Sequence, residues 1–553
     1  MKKTPRAAYV NPENGKCSLT LMVDCARNAV PSINTLEKLI DLSAYLGYDS
    51  LMLYLEDCFE VTNEPYFGYL RGRYSKAELK HIDAYGLARG IEIIPAIQTL
   101  AHLNQIKRWY EFEGVFDIDD ILEVGSPRAN LLLDHVFQTI RECFTSKRIN
   151  VGMDEAHHMG RGSYFDKHGA VDRLKIIEEQ MDFVHGLCEK YHFKPMMWSD
   201  MFFRMTYGNY YRLNEKQLPK EITNLVKNRF QMIYWDYYHA DPKHYQNMID
   251  VHRQLDNDIV FAAGIWKFSG FTPDNRTSVG TMKAGVKTAI ENHIPDVIIT
   301  AWGDNGGETS LFATLPSIIY AAALKYGVDD LHIIEKTLRE LSGLGWDEFM
   351  AIDFANRGFA HDDVMSTNTT NKSMLFNDPL LGIMDSLASF IVPSKYQAYA
   401  DELNKEVYKK SHYAYLFETQ KALLDVLALK THLGLELRQA YKAHDLVKLT
   451  TLTDTIAPLV KRLDVFHATF SKQWHLENKP HGFDVQDLRI GGLRARLLAT
   501  KSKLTAYLKN ETSSIPELEE TLLDYRGLGA EFVMDPMSLE YRLKRISTVN
   551  VND

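Results

Sequence analysis

Through the first 310 or so residues, short continuous apolar runs alternate with longer segments of helical spacing. The runs are Ser18–Asp24, Ser50–Leu55, Ile91–Ile97, Arg148–Met153, Pro195–Asp200, Phe230–Asp236, Asp258–Trp266 and Val297–Trp302. A strand that is apolar at every position is buried on both faces. Crossover segments between such strands imply a parallel sheet covered by helices on both sides. Eight repeats in about 250–300 residues predict an α/β fold of the (β/α)8 TIM-barrel type. An open doubly wound sheet would also alternate, but no Gly-rich fingerprint follows the first run. The barrel is the better reading.

A barrel carries its chemistry at the C-terminal ends of its strands. The first run ends Asp24-Cys25-Ala26-Arg27 and the third ends Gln98-Thr99-Leu100-Ala101-His102. The fourth ends Asp154-Glu155, the fifth Trp198-Ser199-Asp200 and the sixth Trp235-Asp236-Tyr237. The seventh ends at Trp266 and the eighth at Trp302-Gly303-Asp304-Asn305. Polar and aromatic residues therefore gather at one end of the expected barrel.

Beyond about residue 375 the pattern becomes that of long helices. Ile456, Leu459, Val460, Leu463, Phe466 and Phe470 keep one face apolar, and Leu416, Leu423, Leu424 and Leu427 mark another. The stretch His361 to Ser373, rich in Asp, Asn, Ser and Thr, reads as a loop. The expected organisation is a catalytic barrel over residues 1–330, a helical connection and linker over 331–374, and a C-terminal helical domain over 375–553. That domain is expected to pack on the barrel, and its faces could hold a homodimer together. Trp474 through Arg489, containing Lys479-Pro480-His481-Gly482-Phe483, reads as a loop between helices.

Composition narrows the partners. With 63 basic and 73 acidic side chains the net charge is -10, which offers no footprint for nucleic acid. No stretch reaches the eighteen or so apolar residues that span a bilayer. Five cysteines at unpaired spacing and no apolar signal core before Asn11 place the protein, as an expectation, in the cytoplasm.

Two carboxyl groups at a barrel strand end are suited to glycosidic bond hydrolysis. One protonates the leaving oxygen while the other stabilises charge developing at the anomeric carbon. In a regular strand Asp154 and Glu155 would face opposite ways. At a strand-to-loop junction both can reach a pocket, and their closeness is expected to raise one pKa. An isolated Asp-Glu pair is more often a pair of surface acids.

The surrounding residues change that weighting. Val151-Gly152-Met153-Asp154-Glu155 resembles the His-Ile-Gly-Gly-Asp-Glu signature of glycoside hydrolase family 20, the β-N-acetylhexosaminidases, with Asn150 and Met153 departing from it. Asp24-x-x-Arg27 resembles the family's sugar-binding arginine, and His102 matches a pocket histidine. Trp198-x-Asp200, Trp235 and Trp302 resemble the aromatic walls around the acetamido group and ring. The resemblance spans the whole barrel; with the first run starting at Ser18, the α/β domain that many members carry ahead of it is expected to be absent.

What the resemblance implies is a retaining exo-hydrolase of β-linked GlcNAc or GalNAc with no cofactor. The substrate's own acetamido oxygen would attack the anomeric carbon, Asp154 would orient the amide nitrogen, and Glu155 would act as acid and then base. Trp198, Trp235, Trp302 and Trp266 would wall the pocket, and Tyr237 or Tyr238, with Tyr237 favoured, would bond the acetamido carbonyl. Asp304, and more weakly Glu308, would hold sugar hydroxyls or cap a helix. Other roles remain for several residues. Arg27 would serve equally as an ion-pair partner of Asp24, His102 as a core histidine, and any of the tryptophans as core. A metal on His157-His158 is disfavoured, because adjacent histidines rarely bind one ion. Competing functions are an O-GlcNAcase-like glycopeptide hydrolase, which would favour paired aspartates, and an amino-sugar-binding protein without turnover.

Overall fold

In the computed structural model, which describes residues 6–211, 217–256, 258–268, 270–360 and 370–524, the eight apolar runs are eight parallel strands. They are β1 Ser18–Asp24, β2 Ser50–Tyr54, β3 Glu92–Ala96, β4 Arg148–Asn150, β5 Lys194–Trp198, β6 Gln231–Trp235, β7 Val260–Gly264 and β8 Asp296–Ala301. The strands close into a barrel in the order β1-β8-β7-β6-β5-β4-β3-β2. Register is continuous across the seam, where Val23 lies opposite Ala301 on one side and Leu53 on the other. Every residue of β2 and β7 is buried, as strands covered on both faces require.

The chain divides into two compact units. The first comprises Met1–Ile265, Arg276–Trp302 and Ser317–Thr337 and holds the barrel. Its helices start and stop where local chemistry dictates. Ser32 caps Ile33–Leu46 by accepting the Thr35 N–H, and Gly47 ends it in the left-handed region at φ +81°. Lys76–Arg89 begins with a reciprocal capping box between Ser75 and Glu78. The faces these helices bury carry Leu36, Leu39 and Ile40 in one and Leu79 and Ile82 in the other.

The fourth strand is shorter than its apolar run. It stops at Asn150, whose Oδ1 accepts the Gly152 N–H at 2.9 Å. Gly152, Met153 and Glu155 then adopt φ of +72°, +69° and +54°. Left-handed conformation at non-glycine residues costs about 1 kcal/mol or more each and tends to collect at functional sites. Here it lifts Asp154 and Glu155 out of strand alternation.

The second unit comprises Trp266–Asn275, Gly303–Pro316 and Leu338–Asp553. Its main helices are Ala414–Lys430, Leu446–Glu477 and Phe483–Leu508. Both apolar faces read from the sequence are buried. One expectation is corrected. Trp474–Arg489 is mostly helical, and only Asn478–Gly482 lies between helices. Trp474 extends the Phe466–Phe470 face and packs against Phe483, so the apolar stripe outweighs the Pro480 and Gly482 turn signals. Of the expected linker His361–Ser373, residues 361–369 lie outside the described residues, and Thr370 opens a buried helix, Thr370–Phe376. No helix among the described residues is long and apolar enough to cross a membrane.

Candidate active site

A chain of polar contacts crosses the C-terminal ends of the first four strands. Arg27 Nε donates to Glu56 Oε1 at 2.9 Å, and Tyr54 Oη donates to the same oxygen at 2.8 Å. Gln98 Nε2 donates to Tyr54 Oη at 3.0 Å and to Asp154 Oδ1 at 2.9 Å. His102 Nε2 lies 3.2 Å from Asp154 Oδ2. Asp24 Oδ1 accepts the Ala26 and Arg27 backbone N–H groups.

Electrostatics follow from burial and pairing. Burial alone would lift the Asp154 pKa, but the His102 imidazole and the Gln98 amide outweigh it and hold the carboxyl below the usual range. His102 is the reciprocal case. Burial opposes its charged form, and Asp154 raises its pKa to about 10. Asp154 and His102 thus form an ion pair at neutral pH.

Glu155 is the more accessible acid, with about a third of its side chain exposed against 13% for Asp154. His102 Nε2 is 3.9 Å from Glu155 Oε2, and Arg204 Nη2 is 3.6 Å from Oε1. Asp200, at the N-terminus of helix Asp200–Tyr207, accepts the Glu155 backbone N–H at 3.2 Å and Arg204 Nε at 3.1 Å, both on Oδ2. Its Oδ1 is buried without a hydrogen-bond partner. Burial first, and then the Asp154 charge, push the Asp200 pKa up to about 7. Asp200, a residue outside the adjacent pair, is thus a raised carboxyl in this cluster.

Aromatic side chains make the opposite wall. Trp302 Nε1 donates to Tyr237 Oη at 3.1 Å, and Tyr237 stacks on Trp235 with centroids 5.4 Å apart. Trp198 lies 6.0 Å from Trp302, and Tyr54 meets Trp302 edge-on at 4.7 Å. The Arg27 guanidinium sits 5.9 Å from the Trp302 centroid. Trp198 Nε1 is buried without a partner. Leaving such a donor unmatched costs about 1–3 kcal/mol, which a bound acceptor would recover.

Arg27, His102, Asp154, Glu155, Trp198, Trp235, Tyr237 and Trp302 all belong to the first unit and are joined by these contacts. Trp266 and Asp304 belong to the second. Trp266 is buried there against Phe268, and Asp304 is half-buried in the turn after β8. Glu308 is held by Lys372 at 2.6 Å and Arg489 at 2.9 Å, an internal ion cluster of that unit. Tyr238 gives its backbone N–H to Asp236.

The described residues contain one group able to hold a metal, Asp236 with His239 and His244. Its imidazoles stack face to face with centroids 3.6 Å apart. Two imidazoles on one zinc ion, bonded at about 2.1 Å, splay until their centroids are about 5 Å apart. Asp236 also accepts the Tyr234 hydroxyl and the Tyr238 N–H, each at 3.0 Å. The geometry is that of a carboxylate saturated by hydrogen bonds. His158, from the pair His157-His158 weighed in the sequence, turns to Asp119 at 3.1 Å.

Comparison with known proteins identifies the family. Residues 20–260 match the family model described as "Glycosyl hydrolase family 20, catalytic domain", and residues 347–534 match "Glycoside Hydrolase 20C C-terminal domain". The chain belongs to glycoside hydrolase family 20. A β-hexosaminidase of Akkermansia muciniphila is 29% identical over 167 residues, covering 25% of this chain and 34% of that protein. Hexosaminidase D of Bos taurus is 23% identical over 189 residues, covering 32% of this chain and 53% of the relative. The chain thus spans about a third to a half of these relatives' lengths. Among solved structures, a chitobiase of Flavobacterium johnsoniae aligns with 90% of this chain and 73% of its own at 15% identity and TM-score 0.43.

The sequence reading assigns no site residue to the second strand, yet Tyr54 and Glu56 sit there at the centre of the polar chain. Two acids, Glu56-Asp57, directly after an apolar run were an available signal. Gln98 was visible as a strand-end residue without a role. Arg204 had no signal, because it reaches Glu155 from the first turns of a helix forty-odd residues along the chain.

Proposed function

We propose that this family 20 chain is an exo-acting β-N-acetylhexosaminidase that removes terminal β-linked GlcNAc or GalNAc from oligosaccharides or glycoconjugates by a retaining, substrate-assisted route. The observation that carries the reading is Asp154, clamped between Gln98 and His102, beside the more exposed Glu155. The substrate's acetamido oxygen attacks the anomeric carbon as the glycosidic C–O bond breaks, and Glu155 gives its proton to the leaving oxygen. Asp154, held ionised by His102, orients the amide N–H and balances the charge of the oxazolinium ion. Water then attacks the anomeric carbon as the bond from the acetamido oxygen breaks and the amide is restored, and Glu155 takes the water's proton. Two inversions retain the β configuration.

Trp198, Trp235 and Trp302 supply flat apolar walls for the folded amide, and Tyr237, fixed by the Trp302 indole, is positioned to bond its carbonyl. Trp266 and Asp304 remain candidates for further sugar contacts. The five thiols form no disulfide, which favours a reducing, cytoplasmic setting. A homodimer through the helical unit is part of this reading; elution as a 63.5 kDa sphere would count against it.

The test is hydrolysis of p-nitrophenyl β-GlcNAc, β-GalNAc and β-glucoside by wild type and Glu155→Gln. We expect turnover of the acetamido sugars alone, inhibition by GlcNAc-thiazoline, and a loss of about 10²–10⁴ in the variant. Equal turnover of the glucoside would overturn the amide-assisted mechanism. Thiazoline binding without turnover would mark a sugar-binding protein.

A further inference from the structure

Arg204 lies four residues after Asp200, the acid that closes the run Trp198-Ser199-Asp200 at the end of β5. Residues four apart on a helix share one face, one turn from each other. Helix Asp200–Tyr207 starts directly after the strand, and Met201, Phe202 and Phe203 between the two charged residues are buried, which pins it. Gly208, in the left-handed region at φ +71°, ends it. An acid and a base on one turn therefore stand at the C-terminal end of β5, beside the end of β4.

What they meet there is Glu155. Asp200 Oδ2 accepts the Glu155 backbone N–H at 3.2 Å and Arg204 Nε at 3.1 Å. The far end of the same guanidinium turns to the Glu155 side chain, with Nη2 3.6 Å from Oε1. Asp200 thus fixes the backbone of the acid directly and its carboxyl through Arg204. That backbone sits at φ +54°, a region glutamate rarely adopts without support. Arg204 suits the bridge, because a guanidinium stays charged and carries donors on more than one edge. Burial opposes its charge, but Asp200 first and Glu155 next outweigh that and raise its pKa.

Other titratable groups face Glu155. Asp154 precedes it, His157 follows two residues on, and His102 comes within 3.9 Å of Oε2 from the loop after β3. His102 is paired with Asp154 at 3.2 Å, so those two charges offset each other. Burial first, and then Arg204, push the His157 pKa down to about 4, so it is neutral at pH 7. Of the cations around the Glu155 carboxyl, Arg204 makes the shorter approach and has no opposing charge but Asp200.

We propose that Arg204 is a positioning residue for Glu155, holding Oε1 so that Oε2 is the oxygen that exchanges protons with substrate and water. This rests on the hydrolase reading above. Glu155 first passes its proton to the glycosidic oxygen as the C–O bond breaks, and the carboxylate left behind takes a proton from the attacking water. Between the two transfers its negative charge stands beside Asp154 and Asp200. The anchored guanidinium offsets that charge, as an opposite charge within about 4–6 Å does. It also keeps the carboxyl aimed at one place through both steps.

The experiment measures pH profiles of kcat and KM on methyl β-GlcNAc, whose leaving oxygen needs a proton, in wild type, Arg204→Gln and Arg204→Lys. Arg204→Gln is repeated in an Asp200→Asn background, where Asp200 no longer titrates and no buried carboxylate loses its partner. Glu155 must be protonated in the free enzyme, so it sets a basic limb of kcat/KM. Removing the cation disfavours the carboxylate, and the limb should move up by about one pH unit in both backgrounds. At the optimum kcat should fall about tenfold, with KM within about twofold. Arg204→Lys keeps the charge without the fork, and should restore the limb and part of kcat. An unmoved limb, or one moved equally by Arg204→Lys, would overturn the role. Should wild type hydrolyse no acetamido sugar, the hydrolase reading fails instead. Carbon-13 titration of the Glu155 carboxyl, its signal identified by its absence from Glu155→Gln, then tests Arg204 alone: an upward shift of about one unit in Arg204→Gln supports the role, and no shift overturns it.

Discussion

Two aspartates, one buried and one part-buried, follow strands of the same barrel, and both are held by imidazole, yet they differ in what they can still do. Asp236, after β6, is 0% exposed and accepts from His239, His244, Tyr234 and the Tyr238 N–H. Asp154, after β4, accepts from Gln98 and pairs with His102. Burial would raise the pKa of either, and in both hydrogen-bonding partners reverse the direction. The difference lies in the neighbours. Asp236 is sealed by a turn of its own chain, whereas Asp154 stands beside the more accessible Glu155, and Asp200 is close enough for its pKa to respond to the Asp154 charge. A carboxylate enclosed by four donors organises structure; one held from two directions beside an accessible acid can act on a ligand.

The comparison breaks most directly at Asp154. Asp154→Asn should lower kcat on an acetamido substrate about 10²–10⁴-fold while the unfolding midpoint changes little. A loss under tenfold would remove Asp154 from the mechanism. Asp236→Ala should do the reverse. It leaves a phenol, a backbone N–H and two imidazoles without their acceptor, for about 3 kcal/mol of stability in urea unfolding, with activity per folded molecule within about twofold. An activity loss at unchanged stability would make Asp236 part of the chemistry.

A finer effect concerns Asp200. Its folded pKa, about 7, lies above that of an unfolded aspartate, so the folded state holds the extra proton. Its contribution to stability is complete below about pH 4 and is lost as pH rises through about 7. Above pH 7 the ionised group adds negative charge beside Glu155. Asp200→Asn should remove both the decline in stability across that window and an inflection near pH 7 in kcat/KM. A profile unchanged by the substitution would show that Asp200 does not influence the acid.

Legibility followed distance along the chain. The barrel was readable because burial on both faces imposes eight continuous apolar runs. The Asp154-Glu155 pair was readable because it forms a local motif at a strand end. Tyr54, Glu56, Gln98 and Arg204 drew no role because their function lies in mutual contacts, across 29 to 56 positions for most pairs. Trp474–Arg489 was misread for a related reason: turn residues are local signals, and the apolar face that overrides them packs on both Phe470 and Phe483.

The sequence by itself determined the strand succession, the helical second half and the positions of the strand-end chemistry, since periodicity and local motifs are properties of the chain alone. Tertiary structure decided which charges meet. It paired Arg27 with Glu56, placed His102 on Asp154 and put the raised pKa on Asp200. Desolvation and Coulomb energy depend on what surrounds a group in space, and no one-dimensional pattern records that.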